Sequence, residues 1–188
     1  MSVRTAVETR TVGDDVAAGA VVLGSAMLLL SRSWLADGPA PDLTLSLCYV
    51  AMGLAALAIP VSTEAPVIRL RLVFLMGIAA ILGVVLLVGP GIPFRFGWTG
   101  APVAALAGVA EEALFRRLLY DRLSRFGPVA AVVGSAAAFA LLHVPLYGVA
   151  VLPVDLGAGL LFSWQRWASG TWIVPAATHV AAQLLMGV

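Results

Sequence analysis

A chain of 188 residues that is 61% hydrophobic and 11% charged, with a mean hydropathy of +1.02, lies far outside the composition of soluble domains and reads as one membrane-embedded domain. Formal net charge is +1 and all 11 basic residues are arginine, so neither a nucleic-acid partner nor polybasic attachment to a membrane surface is indicated. Cys48 is the single cysteine, which excludes an intrachain disulfide and a metal site built on thiolates.

Residues 1–15 (MSVRTAVETRTVGDD) are polar and read as a short disordered cytoplasmic tail ahead of a single transmembrane helical domain at 16–188. Asp14 and Asp15 stand directly before the first apolar run, which argues for a retained helix rather than a cleaved signal peptide. A spanning helix needs roughly 20 largely apolar residues, with about 17 tolerable, and Gly, Pro and charge clusters mark the breaks. Seven segments satisfy this, at about 16–31, 43–60, 70–89, 100–120, 127–144, 147–163 and 171–187. No internal repeat, low-complexity stretch or soluble domain interrupts them. The expected fold is therefore all-α, a multi-pass transmembrane helical bundle of about seven spans.

The arginines orient the bundle, because cytoplasmic loops carry the excess of positive charge. Arg4, Arg10, Arg69, Arg71, Arg116, Arg117, Arg122, Arg125 and Arg166 fall on one side of this layout, and only Arg32 and Arg95 on the other. A cytoplasmic N-terminus, seven crossings of the cell membrane and an external C-terminus follow. Trp34, Trp98, Trp164, Trp167 and Trp172 lie near segment ends, as interface anchors do.

Ionisable groups inside a span cost roughly 2.5–3.5 kcal/mol each on insertion scales, and so mark function by default. Glu111 and Glu112 stand well inside the fourth segment, His143 closes the fifth, and His179 lies midway along the seventh with Gln183 one turn later. Successive residues on a helix differ by about 100°, so the two glutamates face different surroundings. Glu112 and Arg116 are i and i+4 with the acid first, the favourable order for an ion pair. Glu111 has no local partner and suits a general base. An intramembrane ion pair accounts for Glu112 and Arg116 but leaves Glu111 unexplained.

Phe139 shares a face with His143, and His179 shares one with Gln183. A lone histidine on an apolar helix is usually a hydrogen-bonded core residue. Two histidines and an orphan glutamate in separate spans allow more. Glu111 could deprotonate a water held by an imidazole, while His179 and the Gln183 amide donate to the oxyanion of a tetrahedral intermediate. The same Glu111, His143 and His179 could instead hold one Zn²⁺ or other divalent ion with a water in the open position. The residues leave both a metal site and a metal-free site open, and no HExxH is present. At about 1.5 Å per residue, Glu111 lies about 15 Å from the cytoplasmic end, His179 about 13 Å and His143 about 24 Å, so His143 converges only if the fifth helix is strongly tilted or begins outside the hydrocarbon, which Gly127 and Pro128 would allow.

EEALFR at 111–116, FALLH at 139–143 and HVAAQ at 179–183, in that order, resemble the EExxxR, FxxxH and HxxxN motifs of the CAAX protease and bacteriocin-processing (CPBP) family of intramembrane proteases. The resemblance covers about residues 98–188. It implies a multi-pass membrane endopeptidase acting on a protein or peptide substrate. Glu111 and His143 would activate water, His179 and the last amide would support the oxyanion, and Glu112 and Arg116 would shape the site. The family is described as metalloproteases, and a metal-free glutamate mechanism has also been argued for it. Gln183 departs from the pattern, standing where the family has Asn; its amide is one methylene further out. An all-arginine chain rich in Ala, Gly and Val points to a GC-rich bacterial genome, and so to a membrane-bound precursor more than to a prenylated substrate. Two other functions fit an intramembrane Glu and His set: a catalytically silent scaffold or immunity protein of the same fold, and a proton-coupled transporter. The second lacks the inverted repeats and matched broken helices that would favour it.

Overall fold

The computed structural model describes residues 11–62, 65–88 and 100–186, and among them the only regular structure is helical. The helices are α1 (Val12–Ala36), α2 (Pro41–Ala58), α3 (Leu70–Val88), α4 (Ala101–Glu112), α5 (Tyr120–Leu123), α6 (Pro128–Tyr147), α7 (Leu152–Ser169) and α8 (Ile173–Met186). A π-helical segment, Ala113–Leu119, joins α4 to α5 without a break. Counting α4 through α5 as one rod, these are the seven expected segments. Four of them, α1, α2, α3 and α6, are long and apolar enough to cross a membrane by themselves, and α8 is a shorter apolar helix. The protein is an all-α membrane bundle.

The first helix begins earlier than expected. Thr11 accepts from the Asp14 amide at 3.2 Å while the Asp14 carboxylate accepts from the Thr11 amide at 2.8 Å, a reciprocal capping box that starts the helix at Val12. Residues 12–15 of the expected tail are thus its first turn, and residues 1–10 lie outside the described residues. The helix also continues through SRSWLA to Ala36, well past the expected end. Other boundaries follow local chemistry. Ile59 precedes Pro60 and is extended, with φ −81° and ψ 129°, which ends α2. Pro128 and Pro153 occupy first-turn positions of α6 and α7, where no amide hydrogen is needed. Gly170 closes α7 with a left-handed φ of 68°.

The rod of α4, the π segment and α5 is the axis of the molecule. It packs against α2 on one side and α8 on another, while α6 and α7 form a tight pair beside it. That pair is close because Gly159 has no side chain: a Cβ there would stand 3.0 Å from the Ala136 carbonyl oxygen. The main core gathers Ala18 and Leu29 of α1, Tyr49, Met52 and Ala56 of α2, the small residues of α4, and Phe115, Leu118 and Phe139.

The rod ends in a polar clasp. Arg117 donates to the carbonyls of Ala56 and Ile59, Arg122 donates to Pro60 at 3.1 Å, and the Asp121 carboxylate accepts the Ser62 amide at 2.9 Å. These satisfy the backbone that α2 leaves open at its C-terminus. Arg122 and Arg125 also pair with Asp15 at 3.5 and 3.3 Å, tying the start of α1 to the turn before α6. Arginines that sequence sorting counts as loop charges are therefore largely structural. Arg116 and Arg166 are buried outright, at 0% and 3% exposed.

Candidate active site

Glu111 and Glu112 close α4 at the point where the helix widens into its π-helical turn, and both are buried. Single π-helical turns collect at functional sites because they rotate the following side chains and free a carbonyl. Here Arg166 of α7 donates from Nε to the Arg116 carbonyl oxygen at 3.1 Å while its guanidinium lies 4.9 Å from the Tyr120 ring centre. The widened turn is thus braced from a neighbouring helix.

The expected ion pair forms. Arg116 donates from Nη1 to Glu112 Oε1 at 3.0 Å and from Nη2 to the Gly159 carbonyl at 3.3 Å. Its guanidinium lies over the rings of Phe139 and Phe162, at 4.5 and 5.4 Å from their centres. Cation–π contact in a desolvated setting contributes about 2 kcal/mol, which helps offset burial of the charge. Glu112 Oε1 has a second partner, His179 Nδ1 at 3.0 Å. That bond makes Nδ1 the donor and turns Nε2 towards Gln183, whose amide nitrogen is 3.4 Å away. Phe162 stacks on the His179 ring at 4.8 Å between centres, holding the imidazole flat against α7.

Glu111 faces elsewhere, as the 100° step requires, and its Oε2 lies 4.0 Å from His143 Nε2. The His143 Nδ1 is bonded to the Phe139 carbonyl at 2.8 Å, so Nε2 is the nitrogen presented to the carboxylate. Phe139 packs between both histidines, with ring centres 4.4 Å from His143 and 6.0 Å from His179. His143, which the rise per residue set about 9 Å deeper than Glu111, nonetheless stands beside it. All six expected residues, Glu111, Glu112, Arg116, His143, His179 and Gln183, therefore surround one region.

Residues 93–185 match the family model described as type II CAAX prenyl endopeptidase Rce1-like. The chain belongs to this family, through its C-terminal half. No curated protein and no solved structure matches it. The Rce1-like region starts just ahead of α4 and ends within α8, so it contains every residue of the site. At the level of the family the protein is a membrane-embedded CAAX-type endopeptidase.

A metal is the cofactor to test against this geometry. Among the described residues, no three His, Cys, Asp or Glu groups come together at ligand spacing. His179 Nδ1 is engaged by Glu112 and His143 Nδ1 by a carbonyl, the kind of partner a metal-bound imidazole keeps on its other nitrogen, so the donor set on offer is the two Nε2 atoms and the Glu111 carboxylate. These three groups would be the ones to hold a divalent ion and its water, although they are not gathered at ligand spacing, and the chemistry below is developed from the chain's own side chains.

Three residues of the Rce1-like site escape a sequence reading. Asp155 lies in the first turn of α7, within electrostatic reach of His143, Glu111 and His179. Tyr49 of α2 hydrogen-bonds Arg32 and lies within reach of Glu111. Arg166 braces the π segment. Asp155 stood inside the expected sixth span, and the cost of a carboxylate there was the available signal.

Proposed function

We propose that the protein is an intramembrane endopeptidase that hydrolyses a peptide bond of a membrane-associated protein or peptide by water activated between Glu111 and His143. The observation that carries this is the 4.0 Å separation of Glu111 Oε2 and His143 Nε2, with Glu112 held apart in its own ion pair. A water set off the line between those atoms can lie about 2.8 Å from each, within hydrogen-bond range. Glu111 takes its proton as the oxygen attacks the scissile carbonyl, and returns that proton to the leaving amine. His143 holds the water through Nε2, its ring fixed by the Phe139 carbonyl.

The oxyanion is supported from α8. The Gln183 amide is the donor to the oxyanion, and the His179 ring, oriented by Glu112 through Nδ1, lines the same side of the site. Arg116 and the phenylalanines fix Glu112 and so act as positioning residues. The proposed setting is the cell membrane with the N-terminus in the cytoplasm and seven crossings. Reporter fusions at residues 38 and 148 would be external in that topology.

One observation favours a second reading, a catalytically silent scaffold: both nitrogens of His179 are already engaged, one of them by the longer Gln183 side chain. Hydrolysis decides between them. The purified protein in lipid vesicles is given a mixture of membrane-anchored peptides, a prenylated CAAX-ended one among them, in ¹⁸O-labelled water. New termini carrying one label, lost with Glu111→Gln, support the protease. Absence of cleavage across the mixture, or products that persist in Glu111→Gln, overturns it.

A further inference from the structure

The site is rich in acceptors and poor in donors. Three carboxylates, those of Glu111, Glu112 and Asp155, share it with two imidazoles and one guanidinium, and that guanidinium is spent on Glu112. Buried side-chain oxygens without a hydrogen-bond partner point the same way. Of the four among the described residues, three belong to this region, Glu112 Oε2, Asp155 Oδ2 and Gln183 Oε1, against one open donor there, Arg116 Nε. Buried acceptors are normally satisfied, and a carboxylate oxygen left open in a low-dielectric setting is costly.

Asp155 differs from the other two. Glu112 is held by Arg116 and His179, and Gln183 packs its amide into the space above Gly108. The bland account of Asp155 is an acid placed in a helix's first turn to complement the dipole. Yet α7 has no side-chain capping hydrogen bond at its start, and Asp155 lies within electrostatic reach of His143, Glu111 and His179. It lies one turn ahead of Gly159, whose carbonyl receives Arg116, on the same helix face.

We propose that Asp155 is a docking carboxylate for a cationic side chain of the substrate, which selects peptides carrying lysine or arginine near the bond to be cut. A protonated amine or guanidinium supplies donors this region is short of and gives the open Asp155 oxygen a partner. A hydrogen bond between charged groups in such a setting is enough for about tenfold in affinity. This inference rests on the site being a peptide site, so binding is measured apart from cutting.

The probe is a series of fluorescent membrane-soluble peptides, identical except for a single lysine walked along the chain, each paired with its norleucine counterpart. Binding to the full-length protein in lipid nanodiscs is expected to favour lysine about tenfold at one position. Asp155→Asn should bring that advantage below about twofold, and Asp155→Glu should restore part of it. Asp155→Ala repeats the comparison if the asparagine variant does not fold. No lysine advantage at any position, or one that survives removal of the carboxylate, overturns the proposal. A lysine-dependent peptide that binds and is not cut would sink the hydrolase reading alone, whereas cutting with no lysine preference would sink docking alone.

Discussion

The three N-terminal helices and the five that follow solve opposite problems with similar overall hydrophobicity. In the hydrophobic windows of α1, α2 and α3 only 17% of residues are buried within the protein, against 33% for α6, so most of their apolar surface is left for lipid. Leu23, Met27, Leu54, Leu86 and Leu87 are all more than half exposed. Among the described residues, every buried charged side chain instead falls between Ala101 and Met186. One half spends hydrophobicity on the bilayer, and the other spends it on enclosing polar groups. The difference teaches that a bundle this small can hold an ion pair and two histidines only if the surrounding small residues let helices close over them. Gly108, Gly159 and Ala136 do this.

The comparison breaks most severely at Glu111. Glu111→Gln keeps the shape and removes the proposed base, so turnover should fall about a thousandfold while the melting temperature in detergent stays near the parent's. Turnover within about threefold of the parent would remove Glu111 from the chemistry. Arg116→Ala tests the structural side of the same half. It strands Glu112 at 0% exposure with only His179 beside it, and should cost about 3–5 kcal/mol together with activity. Chemical denaturation of the purified protein reads this directly. A variant that unfolds like the parent would show that the pair positions the site without holding the fold.

Much of this division was legible in the sequence, for reasons that differ by residue. Hydrophobic runs and their Gly and Pro breaks fix helix existence, which is why seven segments were countable. Boundaries were weaker: the Thr11–Asp14 capping box and the continuation to Ala36 depend on local hydrogen bonds that hydropathy does not register. The Glu112–Arg116 pair was legible because i and i+4 contacts belong to one helix. It survives within the π segment, which the sequence did not announce. Convergence of Glu111 on His143 was legible only as a possibility, since rise per residue gives depth along one helix and not the tilt or packing of its neighbour. Asp155 was missed because the expected sixth span set it mid-helix with no ionisable residue three or four positions away to tie it to the site. Arg166 was missed because a basic residue near a segment end reads as a loop charge, whereas its work is to satisfy a carbonyl of another helix.

A subtler break concerns the small residues. A Cβ at position 108 would stand 2.9 Å from Gln183 Oε1, so Gly108→Ala should displace the amide from His179. The expected cost is about 1–3 kcal/mol of overpacking with a several-fold loss of turnover. Gln183→Asn shortens the side chain by one methylene and should return much of both losses in the double variant, although it leaves a void in the parent background. Non-additivity of the two changes, measured by denaturation and by kcat, is the diagnostic outcome. If the double variant is simply the sum of the singles, Gly108 and Gln183 are not matched to one another.

The smallest effect is expected on the lipid-facing side, and it sharpens the contrast because the substitution is large. Leu87 on α3 is 88% exposed, so Leu87→Ala opens no internal cavity and removes contact only with lipid. The same change in a packed interior costs about 2–5 kcal/mol; at an exposed position within ±0.5 kcal/mol is usual. Lipid tails are as apolar as leucine, so the folded and unfolded states inside the bilayer should lose nearly the same contact. Unchanged stability and turnover in nanodiscs would confirm that α3 presents this face to lipid. A loss of more than about 1 kcal/mol would mean that this end of α3 is covered by protein, and that the outer surface of the N-terminal half is not simply bilayer-facing.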